Sequence, residues 1–244
     1  MNDLINKYDA VALLSGGLDS TLALLVCERT FKKLGRDMRG IVGITMPGFG
    51  TTDRTYTNAV ELMKNMGITI REIDIKEACT VHFNDLGHDM SVHDVTYENC
   101  QARERTQILM DLANLERGLV VGTGDMSEIA LGWSTFNGDH MSMYCVNGNL
   151  PKTVIRNLLR SDNVIDVVNE YFGGNAKIVK VLRDIVDTPV SPELVPGGKQ
   201  NTEDIIGDYE IIDFCLYYFL RFGETQEHIL ELAKVAFKGK KSLK

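Results

Sequence analysis

The sequence predicts an α/β fold, a doubly wound parallel sheet with helices on both faces and a helical C-terminal extension. Three observations predict it. Short apolar runs with the look of buried strands recur ahead of segments with helical spacing. A glycine-rich turn joins the first such run to the first helix. From Pro151 onward the pattern is almost wholly helical. Strands that alternate with helices wind into a parallel, right-handed sheet.

Each element has its own basis. Ala10 to Leu14 is an apolar run, Gly16 and Gly17 supply a tight turn, and Ser20 to Cys27 continues with helical spacing. Gly40 to Met46 reads as a second buried strand, closed by Pro47 and Gly48. Thr55 to Met66 is helical through Ala59, Leu62, Met63 and Met66, and Gly67 ends it. Ile68 to Ile73 alternates as a short strand, followed by a weaker helical stretch over Lys76 to Leu86. Gly87 to Asp94 is polar and reads as a loop. Tyr97 to Leu115 is a long helix, and Gly118 to Gly122 another buried strand. The stretch 188–208, rich in Pro, Gly and polar residues, is expected to be a mobile loop. The whole then reads as one domain, with an α/β core over about 8–190 and a helical extension over about 205–238.

Composition narrows the function. The 244 residues are 44% hydrophobic and 25% charged, enough for a sizeable core. A formal net charge of −8 argues against non-specific nucleic-acid binding, which needs basic surface. Local clusters of Arg, Lys and Mg²⁺ still allow anionic substrates in a cleft. The five cysteines, Cys27, Cys79, Cys100, Cys145 and Cys215, form no C-x-x-C pair, so neither a metal knuckle nor a disulfide framework is expected. No signal peptide and no apolar run near membrane-spanning length is seen, so the expected location is cytoplasmic.

The chemistry concentrates at predicted strand ends. Leu13-Leu14-Ser15-Gly16-Gly17-Leu18-Asp19-Ser20-Thr21 sits between a strand and a helix, where backbone N–H groups and the helix dipole converge on one spot suited to phosphate. No Lys follows the glycines, so this is not a Walker A loop. In an open parallel sheet, ligands bind beyond the carboxyl ends of the strands. Asp19, Met46 and the stretch from Thr123 to Glu128 all fall just past such ends and would open on one edge. Asp19 and Glu128 would then offer carboxylate oxygens to Mg²⁺. An acid at a helix start equally serves the helix dipole. Asn99 and Arg103 share a helix face by their i, i+4 spacing, which also fits a solvated face. Gly48-Phe49-Gly50 begins like a dinucleotide fingerprint but continues differently, and reads as a turn.

The Ser15-Gly16-Gly17-Leu18-Asp19-Ser20 pattern resembles the loop of the PP-loop ATP pyrophosphatases, which cleave ATP between its α- and β-phosphates and adenylate a substrate. Three further segments join it: Tyr97-Glu98-Asn99-Cys100-Gln101-Ala102-Arg103, Gly122-Thr123-Gly124-Asp125-Met126-Ser127-Glu128, and Asn147-Gly148-Asn149-Leu150-Pro151-Lys152-Thr153. Together they resemble the synthetase part of NAD⁺ synthetase, and the version here is similar to the bacterial glutamine-dependent branch. That branch carries an N-terminal amidase, which is not expected in a sequence that opens on the synthetase strand. It also ends in a basic segment with no counterpart around Lys238 to Lys244. The chain thus reads either as a fragment of a larger enzyme or as a short form.

The resemblance implies a fold of the adenine-nucleotide α-hydrolase type and ATP-dependent amidation of deamido-NAD⁺ through an acyl-adenylate. ATP and Mg²⁺ are the implied cofactors, and deamido-NAD⁺ and ammonia the substrates. The implied partners are a second copy in a homodimer and a glutaminase or amidase, in trans or missing in cis. By motif position, Leu13, Leu14, Ser15, Gly16, Gly17, Leu18, Asp19 and Ser20 hold the ATP phosphates, with Met46, Thr123, Lys152 and, on weaker matching, Thr188 as further contacts. Asp19 and Glu128 are the implied metal ligands, and with Lys152 they form the catalytic set. Asn99, Arg103, Glu128, Trp133, Ser134, Thr135 and Phe136 would meet deamido-NAD⁺. Trp133 is the single tryptophan and suits either stacking on the pyridine ring or core packing. Phe136 and Met143 depart from the Lys and Asp that ammonia-dependent members tend to carry there. Two other readings stay open: a different PP-loop adenylating enzyme, and a non-catalytic nucleotide-binding module.

Overall fold

A computed structural model of the chain describes residues 9–13, 15–197 and 201–240. Leu14, an expected nucleotide contact, lies outside the described residues, and of Leu13 only the backbone is described. Among the described residues, five strands form one parallel sheet: β1 (Asp9–Leu13), β2 (Ile41–Thr45), β3 (Thr69–Glu72), β4 (Gly118–Gly122) and β5 (Tyr144–Cys145), in the order β3-β2-β1-β4-β5. The strand order reverses at β1, so the crevice between the ends of β1 and β4 is the switch point where such sheets bind ligands.

Helices cover both faces, and the residues that bury them explain the split. On one face α1 (Leu18–Lys33), α2 (Asp53–Met66), α6 (Lys152–Arg160), α7 (Asp162–Tyr171) and α8 (Ala176–Val186) share a core built on Leu24, Leu62, Met63, Ile155 and Ile178. On the other, α3 (Lys76–Leu86) and α4 (Val95–Glu116) pack Phe83, Tyr97 and Leu109 against Val42, Ile44 and Val120. Each fully buried Leu or Ile contributes about 1.5–3 kcal/mol. β2 is buried along its whole length, as its uninterrupted apolar run requires of a central parallel strand. The short α5 (Met126–Leu131) follows β4, and α9 (Thr202–Ile206), α10 (Tyr209–Phe222) and α11 (Gln226–Ala236) complete the chain.

Two expectations change. The helical extension expected from about 205 is interrupted at its start, because Gly207 adopts φ +95° and Asp208 restarts the helix by accepting the Glu210 N–H. The two-residue β5 was not expected; a strand so short carries no periodicity. The described part of the stretch 188–208 is tied down: the Leu194 carbonyl accepts from Gln101 Nε2 (2.8 Å), and Glu193 Oε2 accepts from Thr55 Oγ1 (2.6 Å).

Candidate active site

The loop after β1 is shaped for an anion. Gly17, extended at φ −89°, starts α1 with no side-chain cap, the kind of helix start that suits an anion. Gly16 turns at φ +79°, and a Cβ there would lie 2.3 Å from the Thr55 carbonyl oxygen. No other residue fits that turn. Behind the loop, Ser20 Oγ and Thr21 Oγ1 both donate to the Gly17 carbonyl (3.1 and 2.8 Å), and Ser15 Oγ accepts from Gly17 N (3.3 Å).

Lys152 dominates the switch point. Its ammonium lies 2.6 Å from Asp19 Oδ2, 2.6 Å from Asp125 Oδ2 and 2.7 Å from Glu128 Oε1, and the residue is 1% exposed. Local structure explains each partner. Asp19 is in the first turn of α1. Asp125 N-caps α5, accepting from Glu128 N at 2.9 Å, which puts Glu128 in the first turn beside it. Lys152 opens α6 after Pro151. A cation at a helix N-terminus opposes the dipole, so the three carboxylates are what hold it there. Burial alone would lower the Lys152 pKa, but Asp19, Glu128 and Asp125 outweigh that and leave it well above the ordinary value. Burial, assisted by the neighbouring acids, pushes Glu128 up to about 7 and also raises Asp125.

Three carboxylates against one ammonium leave the cluster short of positive charge when all are ionised. Their ligand oxygens lie within 4.8 Å of one another, and the buried Asp19 Oδ1 has no hydrogen-bond partner among the described residues. An orphaned carboxylate oxygen in a cluster with excess negative charge fits a divalent cation of the Mg²⁺ type, which takes one or two carboxylates beside substrate phosphates. Asn147, fully buried, knits the two strand ends together by donating to the carbonyls of Asp19 (2.9 Å) and Thr123 (3.1 Å).

A second group of expected residues also meets. Asn99 Oδ1 accepts from Thr135 Oγ1 (2.7 Å), and Arg103 Nε donates to the Phe136 carbonyl (3.0 Å). Trp133 N donates to the Glu128 carbonyl (2.9 Å), so this segment follows directly from the acidic cluster. Trp133 is half-buried, Ser134 is exposed, and the Phe136 ring is 76% exposed. Two expected contacts point elsewhere. Met46 buries its side chain among Ile44, Ile75 and Phe83 while its carbonyl accepts from Arg105 Nε. Thr188 turns its hydroxyl onto the Asp184 carbonyl.

The family model described as NAD synthase matches residues 4–242. The chain belongs to the NAD synthase family. Among curated relatives, the glutamine-dependent NAD(+) synthetase of Mycobacterium leprae is 43% identical over 218 residues, covering 86% of this chain and 31% of that one. That of Aquifex aeolicus is 31% identical over 230 residues, covering 92% and 37%. The chain thus spans about a third of the length of the curated relatives it matches. Solved members of similar fold include an NMN synthetase from Francisella tularensis (TM-score 0.67, 23% identity, 100% of this chain and 94% of that one). An NH3-dependent NAD synthetase from Campylobacter jejuni gives TM-score 0.61 at 21% identity, covering 100% and 92%. These likenesses carry the NAD synthase fold. Among the described residues, no helix is long and apolar enough to cross a membrane.

Four residues at the centre were not among those expected: Asp125, Asn147, Tyr209 and Asp213. For Asp125 a signal existed, since Asp125-Met126-Ser127-Glu128 has the form of a capping box and places both acids on one turn. Tyr209 and Asp213 lie in α10, more than fifty residues downstream of Lys152, and no local spacing links them to it.

Proposed function

We propose that this chain is the synthetase unit of an NAD⁺ synthetase, amidating deamido-NAD⁺ at the expense of ATP. The carrying observation is the Lys152 ammonium gathered with Asp19, Asp125 and Glu128 beside the uncapped start of α1. A free carboxylate does not react usefully with ammonia at neutral pH, so it must first be activated. In the first step a nicotinate carboxylate oxygen attacks the α-phosphorus of ATP, the bond to the bridging oxygen breaks, and pyrophosphate leaves. In the second, ammonia attacks the acyl carbon, AMP departs with its oxygen, and one proton is released.

The chain's residues supply placement and charge. N–H groups of the loop and of α1 cradle the phosphates, and Lys152 offsets charge that grows on the departing pyrophosphate. Asp19, Asp125 and Glu128 would hold Mg²⁺, which when bound neutralises phosphate charge. Asn99, Arg103 and the Trp133–Phe136 segment form the wall that orients deamido-NAD⁺. Holding two polyanions in line is itself a large share of the acceleration.

The test is pyrophosphate release from ATP and Mg²⁺ with ammonium, and then with glutamine, in the presence and absence of deamido-NAD⁺. Release that requires deamido-NAD⁺, with NAD⁺ formed from ammonium, is the expected result. The fold shared with an NMN synthetase makes deamidated NMN the competing acceptor to include. A higher kcat/KM for that acceptor would move the assignment to NMN, and ATP binding without any release would reduce the chain to a binding module.

A further inference from the structure

We propose that Asp213 is a positioning residue for Lys152, acting from α10 through the first turn of α6. The proposal rests on the assignment of Lys152 to the amidation site. Pro151 precedes α6 and has no side chain able to cap it, so the first N–H groups of that helix need acceptors from elsewhere. They find them in a buried relay. Lys152 N donates to Ser127 Oγ (2.9 Å), and Ser127 Oγ in turn donates to Asp213 Oδ1 (2.5 Å). Asp213 Oδ2 accepts from both Thr153 N (2.8 Å) and Thr153 Oγ1 (2.6 Å). Asp213 is 6% exposed and Ser127 fully buried.

This relay does more than close a helix end. It fixes the backbone of the residue whose ammonium meets three carboxylates, and its negative charge at the α6 N-terminus offsets the dipole that disfavours a lysine there. Ser127 also lies between Asp125 and Glu128 on α5, so one hydroxyl ties Lys152 to the turn that carries two of its acids. One helical turn before Asp213 on the same face, the buried Tyr209 ring sits 5.6 Å from Lys152 Nζ and closes the back of the pocket. α10 is thereby the rear wall of the site, supplied by a part of the chain remote from every nucleotide motif.

Asp213→Asn tests this. An amide keeps one acceptor oxygen, so either Ser127 or Thr153 loses its partner while size and shape are preserved. The expected result is a loss of about 10- to 100-fold in kcat for pyrophosphate release, the scale of a small misplacement, with KM for ATP little changed. The second readout is independent of turnover. Lysine acetylation by acetic anhydride, followed by mass spectrometry, finds Lys152 protected in the unaltered protein and selectively more reactive in Asp213→Asn. Should Asp213→Asn fail to fold, Ser127→Ala is read in the same way, since it cuts the link to Lys152 but leaves Asp213 its Thr153 bonds. An unchanged kcat, a loss confined to KM, or acetylation that rises equally at all lysines would overturn the proposal. If the unaltered protein shows no turnover with deamido-NAD⁺, the assigned reaction fails, and Lys152 acetylation alone then decides the positioning role.

Discussion

Replacing Lys152 by methionine removes the ammonium and keeps most of the side-chain volume, leaving Asp19, Asp125 and Glu128 facing one another without a cation. Removing one partner of a buried ion pair costs about 3–5 kcal/mol. Here the lower end applies, because the Asp19 and Glu128 side chains are 20% and 25% exposed and water reaches both. In a chain of this size, 1 kcal/mol shifts Tm by about 2–4 °C, so about 3 kcal/mol becomes a fall of about 6–12 °C. The assay is a thermal melt in chelator at pH 8. The sign of the pH effect follows from Glu128, whose folded pKa is raised to about 7. Its bound proton contributes stability fully present below the unfolded value of about 4.3 and lost as pH rises through the folded value. Lys152 holds the Glu128 value down, so Lys152→Met raises it further, and the variant's deficit is smaller at pH 5.5, where the carboxyl is protonated in both proteins, than at pH 8. Mg²⁺, freed from competition with the ammonium, raises Tm more in Lys152→Met than in the unaltered protein. A fall below about 2 °C in chelator would refute the charge reasoning, as would equal Mg²⁺ shifts in the two proteins.

Three further outcomes are expected. Gly16→Ala drives a Cβ into the Thr55 carbonyl at a φ of +79°, so it should cost at least about 1–3 kcal/mol and abolish ATP binding, read by melt and calorimetric titration. Arg103→Ala should raise KM for deamido-NAD⁺ by about 10- to 100-fold, the value of a charged hydrogen bond, while KM for ATP stays constant; an effect on ATP alone would show that the α4 face is misassigned. Thiol titration of the native protein should detect only Cys145 and Cys215, with Cys27, Cys79 and Cys100 reacting after denaturation. Partial desolvation of its sulfur and the nearby Asp125 and Glu128 push the exposed Cys145 thiol up, so its reaction should accelerate as pH rises.

The glycine turn after β1 was legible because its geometry is local: a strand, two glycines and a helix start are contiguous, and their form follows from backbone conformation alone. The shared edge of Asp19 and Glu128 was legible because a parallel sheet brings the ends of its strands together. The pairing of Asn99 with the Thr135 hydroxyl and of Arg103 with the Phe136 carbonyl required knowing only that a helix face and a loop meet beyond β4. Position past a strand end did not say which way the Met46 side chain turns, and apolar burial took it inward.

The sequence by itself determined the parallel α/β fold, the glycine turn after β1 and the acids at the strand ends, since each rests on periodicity or on residues within one turn of each other. Only the tertiary structure decided that Lys152 lies among three acids rather than two, and that α10 forms the wall behind it through Tyr209 and Asp213. Those contacts join segments far apart in the chain, and they exist because buried charges and uncapped N–H groups must find partners wherever packing provides them.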